Sequence, residues 1–500
     1  MTNHEIDPVS AGGSTARYEQ KLSRSLTLRG NILITLSSVT PASSVFIIIP
    51  SIIVAVGGAG FVSMVVAGLV GVAMAFCYAE LSSAFPIAGG EYAFAARVLG
   101  KSTGFALFLM NALSIVLIIS VVALGTGQYV SAAWAGGNSK WVGVAVILLC
   151  AAVAVLNIRL NSWVTGTFLV VEMGALVVLV VLGFLHVSRP LSTLFDPQAL
   201  TGGGGSLAAA SWGLVAAQTA TAIFAYNGYG AAVYFAEETR GASRGIARVI
   251  LISLGIAVAA ELIPTTAVLL GAPDLSTLMA SDTPMQYFVT SRGGETLNTI
   301  VSLGIALAII NAVVAITLQA GRTVYASARD RAYPDLVSNA LGYVHPRLQT
   351  PVTATLMVGV IAAVIAAVVP LGTLITATGA TVVVLYAVVA LSALMGRRNG
   401  TTRDARYRMP AFPVAPLVVI VALVYVTYQL FVSNPSQVAI ALGALALGYV
   451  YYYAYLRART AERWTTPDAP FDEHDQEPGA LVMGPVLELD PPGTPKDHTR

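Results

Sequence analysis

Three carboxylic acids, Glu80, Glu172 and Glu261, stand inside long apolar stretches of this 500-residue chain. A carboxylate at the centre of a bilayer costs about 2.5 kcal/mol or more. Such a group must face the protein interior, find a partner or carry a proton, so proton chemistry is what these acids offer. Glu172 lies near the middle of its stretch, with Thr165 seven residues earlier on the same helix face. It is read as a proton-binding group or as a structural carboxyl bonded between helices. Glu261 shares a helical stripe with Ser253, Ala257 and Thr265 beside Pro264. It could bond backbone loosened by that proline, or take part in proton coupling. Glu80, close to the end of its stretch, reads as architectural, a partner for an arginine at a cytoplasmic gate. Glu237 and Glu238, among Arg240, Arg244 and Arg248, read first as a solvated loop, with gate pairing as the alternative.

The other chemically suggestive residues interrupt two apolar segments. Ile32 to Ile53 is broken by Thr40-Pro41-Ala42-Ser43-Ser44, and Trp212 to Phe235 by Tyr226-Asn227-Gly228-Tyr229-Gly230. In hydrocarbon an unpaired peptide group costs several kcal/mol, so a break survives only where protein or a wet cavity covers it. Pro41 removes a donor and can open a new helix. The freed N–H groups of Ala42, Ser43, Ser44 and Val45 would then suit a carboxylate. Ser43 and Ser44 can satisfy backbone groups locally. Unwinding at Gly228 would bare the carbonyls of Ala225, Tyr226 and Asn227 to an ammonium, with Phe224, Tyr226 and Tyr229 as flat apolar cover. A proline kink and close glycine packing are the plainer alternatives. A break in each half points to the solute site of a secondary transporter.

Twelve elements must position these residues. Hydrophobic residues are 56% of the chain, charged ones 10%, and mean hydropathy is +0.76. A soluble chain carries about 25% charge. Spans of bilayer length are expected near 31–55, 60–84, 104–131, 141–157, 162–187, 211–236, 248–271, 296–321, 351–370, 372–395, 411–433 and 436–456. Of the 27 Lys and Arg, only Lys140, Arg189 and Arg292 fall in loops on one side. The positive-inside rule therefore makes both termini cytoplasmic. Residues 1–30 form a polar leader segment with no cleavable signal, and 461–500 read as a disordered tail. Gly202 to Gly205 reads as a flexible external loop. Short surface helices are expected within 275–290 and 322–349. Cys77 and Cys150 read as buried, inert thiols.

Several blocks together resemble the amino acid–polyamine–organocation superfamily of permeases. They are Thr40-Pro41-Ala42-Ser43-Ser44-Val45-Phe46, Ala79-Glu80-Leu81, Phe85-Pro86-Ile87-Ala88-Gly89-Gly90-Glu91-Tyr92, and Phe224-Ala225-Tyr226-Asn227-Gly228 leading to Glu237-Glu238-Thr239. The resemblance runs from about residue 24 to 455. It implies an all-α membrane protein of twelve transmembrane helices, two inverted five-helix repeats plus two C-terminal helices, with helices 1 and 6 discontinuous. The repeats would be 31–187 and 211–395, and the added pair 411–456. It implies alternating access, with the family's aromatic gate falling on Phe224. It also places Glu172 about where proton-coupled relatives carry a lysine. The first break departs from the relatives' Gly-Ser-Gly or Gly-Ala-Gly and is closer to some putrescine importers. Where arginine–agmatine exchangers have an acid after the second break, this chain has Gly230, so a dication would need its second anion elsewhere.

Enzymes are excluded by motif. Gly100-Lys101-Ser102 lacks the first glycine of a phosphate loop, where Ala95 stands, and no metalloprotease or nucleophile-elbow pattern occurs. No segment has room for a nucleotide domain, and no repeated pore loop suggests a channel. The eighth span, with Ser302, Asn311 and Thr317, makes no clear sodium cage. Asn111, Gln128, Gln218, Thr373, Thr376 and Thr378 line the pathway or bond neighbouring helices. The expectation is a plasma-membrane carrier of amino acids driven by the proton gradient, with a polyamine importer or an exchanger as alternatives. Its partners would be a small molecule and the bilayer; no metal, cofactor or nucleic acid is expected, and the oligomeric state is open.

Overall fold

The computed structural model describes residues 26–86, 89–133, 138–156, 158–201, 206–459 and 462–464. The N-terminal segment before residue 26, Ile87-Ala88, Gly202–Gly205 and the tail beyond Trp464 lie outside the described residues, as do the side chains of Gln128, Thr165 and Glu237. Each expected span coincides with helix: for example Gly60–Ala84, Lys101–Ala133, Ser139–Ala154, Ile158–Leu185, Ala242–Gly271, Val352–Val368 and Leu371–Arg398. Among the described residues, eight helical stretches are long and apolar enough to cross a membrane, and Leu28–Ala84 counts as one of them although it holds the first two expected spans. Val170, Leu185, Val421 and Leu69 are each about two-thirds exposed or more. Apolar surface on that scale is stable only against lipid. The chain is a multi-pass, all-α membrane protein.

Helix contacts are close where side chains are small. A Cβ on Gly271 would lie 2.6 Å from the backbone of Gly183, so the helices Ile158–Leu185 and Ala242–Gly271 touch along their backbones. Both of these helices, which carry Glu172 and Glu261, also pack against the first helix. Cys77 and Cys150 are both free and buried, as expected.

Four features differ from expectation. A two-stranded antiparallel hairpin, Gln198–Thr201 with Ser206–Ala209, flanks the glycine run that was read as a flexible loop. The eighth helix starts at Pro284, earlier than its apolar stretch, and bends where Gly294 takes φ 82° and ψ 170°. The short helices, by contrast, fall where expected, at Leu275–Ala280 and Asp335–Leu341. Glu91–Val98 forms a further helix leading into the third span. Arg463 and Trp464, assigned by sequence to a disordered tail, are packed: Trp464 is fully buried against Tyr92 and Phe105, and its Nε1 donates to the Lys101 carbonyl at 3.0 Å.

Candidate functional site

Both interruptions are real, and they touch. The first helix, Leu28–Val39, is started by Thr27, whose Oγ1 accepts from the Gly30 N–H at 3.1 Å. It stops at Thr40, which is left-handed at φ 53°, ψ 61°. A β-branched residue rarely adopts that conformation, and such outliers gather at functional sites. Pro41 opens the next turn, followed by a π-helical turn over Ser44–Ile48 and α-helix over Ile49–Val56. The sixth span runs as α-helix from Trp212 to Ala225, unwinds, and continues as 3₁₀-helix over Tyr229–Glu238. Gly228 between them has φ 118°. A Cβ there would meet the Ser38 carbonyl oxygen and the Val39 backbone at 2.7 Å. Glycine is thus required twice over, for conformation and for contact between the two breaks. Ser44 Oγ ties them, donating to the Ala225 carbonyl at 2.8 Å.

At this junction lies a cavity of about 30 Å³, room for roughly two waters. Of the expected binding residues, Thr40, Ser44, Phe224, Ala225, Asn227 and Gly228 line it. Ala42, Ser43, Val45 and Tyr226 are buried elsewhere and do not. The left-handed step at Thr40 is one cause, because it resets the helical phase behind it. The Ala42 N–H is taken by the protein's own acid: it donates to Glu172 Oε1 at 2.8 Å. At the restarted helix this N–H, expected to meet a substrate carboxylate, is thus occupied by Glu172. Ser43 Oγ, free to bond backbone on the sequence reading, has no partner.

Glu261 is fully buried with both carboxyl oxygens unpartnered. Ser44 is beside it, but the single hydroxyl proton of Ser44 is committed to Ala225. The backbone loosened by Pro264 is served by others: Thr265 Oγ1 donates to the Glu261 carbonyl at 2.6 Å and Thr266 Oγ1 to that of Leu262 at 2.7 Å. The structural role proposed for the Glu261 carboxyl is therefore not the one it plays. Glu172 and the Tyr226 hydroxyl, itself unpartnered, lie within electrostatic range of it. Behind the first break the chain thus holds two acids and no cation among the described residues.

Sequence reasoning missed the cavity's own acid. Glu91 is 5% exposed and lines the cavity. Its Oε1 accepts from Tyr78 OH at 2.7 Å, and its Oε2 from Tyr234 OH and, at 3.3 Å, from Asn111 Nδ2. Preceded by Gly89-Gly90, it read as part of a loop block. The available signal was its apolar company, Tyr92-Ala93-Phe94-Ala95-Ala96, with no basic residue before Arg97. Tyr386 joins this group to the second break: Asn227 Nδ2 donates to its hydroxyl at 3.0 Å, and its ring packs edge-on to Tyr78 at 5.9 Å.

At the arginine-rich end of the bundle Glu80 has the arginine partner expected of it. Arg397 Nε and Nη2 reach the two oxygens of Glu80 at 3.0 and 2.5 Å, and the Met409 N–H adds a bond of 2.8 Å. Glu238 corrects the solvated-loop reading. It is 3% exposed and takes Arg322 Nε and Nη2 at 2.5 and 3.2 Å, with the guanidinium over the Phe235 ring. Among the described residues no three His, Cys, Asp or Glu side chains gather as a metal site.

Comparison with known proteins agrees with this architecture. The family model described as amino acid permease matches residues 26–453. An uncharacterized transporter of Mycobacterium tuberculosis is 30% identical over 432 residues, covering 86% of this chain and 91% of that protein. The methylthioribose transporter of Bacillus subtilis is 25% identical over 425 residues, 81% of this chain and 88% of that protein. The branched-chain amino acid permease BcaP, also of Bacillus subtilis, is 24% identical over 418 residues, 79% and 85% of the two.

Proposed function

The chain belongs to the amino acid permease family, a family of transporters rather than enzymes, and on that footing we propose that it is a proton-coupled secondary transporter of amino acids. In this reading twelve helices cross the plasma membrane with both termini in the cytoplasm. Two inverted repeats place the broken first and sixth helices opposite each other, and a bundle of helices one, two, six and seven rocks against the rest. The substrate's ammonium approaches the peptide carbonyls of the second break, and Phe224 closes over it.

The observation that carries this reading is the contact of the two breaks, with Glu172 seated on the Ala42 N–H at 2.8 Å. It suggests how proton and substrate are coupled. An ionised Glu172 holds the N–H that a substrate carboxylate would need. A proton on Glu172 makes it a far poorer acceptor than a charged oxygen, which releases the helix N-terminus to the substrate. Proton and substrate then load together and leave together, as a symporter requires. Glu261, in range of Glu172 and without a partner, is the second proton-coupling candidate. A cavity holding about two waters must widen to admit any amino acid, which alternating access provides. The relatives named above differ in substrate, a thioribose in one and branched-chain amino acids in another, so family membership leaves the solute open.

The test is uptake into vesicles containing the purified protein, with a panel of labelled amino acids and amines and with or without an inward proton gradient. Saturable, gradient-driven accumulation with counterflow supports the reading. Flux that neither saturates nor exchanges refutes a carrier, and accumulation indifferent to pH refutes the coupling.

A further inference from the structure

Glu91 bears the only formal charge on the cavity wall among the described residues; Ser38, Thr40, Ser44, Asn111, Ser114, Asn227, Gln319 and the tyrosines are neutral. Its three hydrogen-bond donors are neutral too, and no cation among the described residues pairs with it. Neutral donors hold a carboxylate in place without cancelling its charge. A buried cavity whose wall carries one uncompensated negative charge attracts a cation.

The walls state what kind of cation. Tyr78, Tyr229 and Tyr386 form a mutual cluster with ring centroids 5.9 to 6.2 Å apart. Tyr78 and Tyr386 line the cavity, and the Tyr78 hydroxyl contacts Glu91. Aromatic faces beside a carboxylate suit an organic cation, an alkylammonium or guanidinium, better than a compact hydrated ion. Position adds length. Tyr234, which bonds Glu91, is six residues past Gly228 on the 3₁₀ helix. That is about 12 Å along the axis at about 2.0 Å per residue, shortened because helical side chains lean back toward the N-terminus. Glu91 therefore lies roughly one extended side chain deeper than the peptide groups of the break.

We infer that Glu91, with Tyr78, Tyr234, Tyr386 and Asn111, is a subsite for the positive side chain of the substrate, and that the chain selects basic amino acids. The inference rests on the reading that amino acids bind at the two breaks. It supplies the anion that the second cationic group of such a substrate needs and that Gly230 does not provide. The α-amino and carboxyl groups engage the breaks, and the distal ammonium or guanidinium takes the lone pairs of Glu91 that the tyrosines leave free. A neutral side chain of the same length would leave the carboxylate uncompensated.

The experiment measures vesicle uptake of L-arginine, L-lysine, L-ornithine and L-leucine by the full-length protein and by Glu91→Gln and Glu91→Asp. The wild type is expected to prefer the basic amino acids. Glu91→Gln should lower the arginine-to-leucine preference by about tenfold or more, since a buried charge loses its partner, and Glu91→Asp should restore part of it. A purely structural role for Glu91 would lower both substrates together and leave the ratio intact, which would overturn the inference. Wild-type uptake of leucine without arginine, lysine or ornithine also overturns it, while leaving amino acid transport standing. Uptake of none of the four overturns it as well, and the wider panel of amino acids and amines then decides the reading beneath it. If Glu91→Gln does not fold, thermal stabilisation of the wild type by L-arginine against L-leucine decides the same question: equal or greater stabilisation by leucine counts against the subsite.

Discussion

Five buried glutamates mark two regions of this molecule that treat negative charge in opposite ways. At the arginine-rich end, Glu80 and Glu238 each receive two nitrogens of one guanidinium, from Arg397 and Arg322. Around the breaks, Glu91, Glu172 and Glu261 have hydroxyls, an amide, a backbone N–H or nothing, and no cation among the described residues. Burying a charge is costly in both places, so the difference is one of completion. The first region is electrostatically finished by the fold. On the proposed reading, the second is left for a proton or a solute to finish, as a coupled carrier would need.

The largest expected effect breaks the comparison at its most critical acid. Glu172→Gln keeps an acceptor for the Ala42 N–H but cannot cycle a proton. Accumulation against a gradient should be lost, while counterflow of substrate across the vesicle membrane stays measurable. Pronounced pH-driven accumulation by the variant would remove Glu172 from the mechanism and make its lack of a cation incidental.

The next effect probes the finished region. Arg322→Met leaves Glu238 buried and unpaired, a loss of about 3–5 kcal/mol for pairs of this kind. It should appear as a large fall in the thermal unfolding midpoint in detergent. Arg322→Met with Glu238→Met should recover most of it, because both charges leave together. No recovery in the double variant would mean that Arg322 acts through something besides Glu238, such as its stacking on Phe235. The same pairwise logic applied to Glu261→Gln predicts no comparable loss, since no partner is orphaned.

A smaller effect concerns the cavity wall. Phe224 is buried on the cavity and contributes no charge. Phe224→Ala should weaken transport several-fold without reducing the amount of protein inserted. Wild-type kinetics would leave Glu91 in place but withdraw the gate.

How much of this was legible beforehand follows from distance along the chain. The breaks were readable because Pro41 and Gly228 act on their own backbone. The spans were readable from composition alone. Which residues face the cavity was not, since Thr40 in a left-handed conformation shifts the phase for Ala42, Ser43 and Val45, and Tyr226 turns toward Glu261. Nor was the Glu238–Arg322 pair, whose members are 84 residues apart. Glu91 was hidden most thoroughly. Its partners Tyr78, Asn111 and Tyr234 come from three separate helices, and nothing adjacent to Gly89-Gly90 signals their convergence.

The smallest effect sharpens the contrast by supplying an acid that needs neither arginine nor solute. Asp274 is exposed at the start of the helix Leu275–Ala280. Its Oδ2 accepts from the Ser276 hydroxyl at 2.5 Å and from the Thr277 hydroxyl and N–H at 2.7 Å. These donors, Ser276 foremost, hold the carboxyl at about 2, below its ordinary 3.8. Asp274→Ala should cost about 1 kcal/mol, as loss of a helix cap does, with transport unchanged. A group whose folded value is depressed stabilises only while ionised. The difference between wild type and variant should therefore be constant above about pH 5, where the unfolded carboxyl is charged. It should shrink below that and vanish as pH falls through about 2. Thermal unfolding in detergent across this range reads it directly, and a difference that persisted at the acid end would show that the neutral side chain, not the carboxylate, caps the helix. Water completes the charge of Asp274 at small cost. The acids at the breaks lack that solvent, and for that reason the same chemistry in the membrane interior becomes a demand for a ligand.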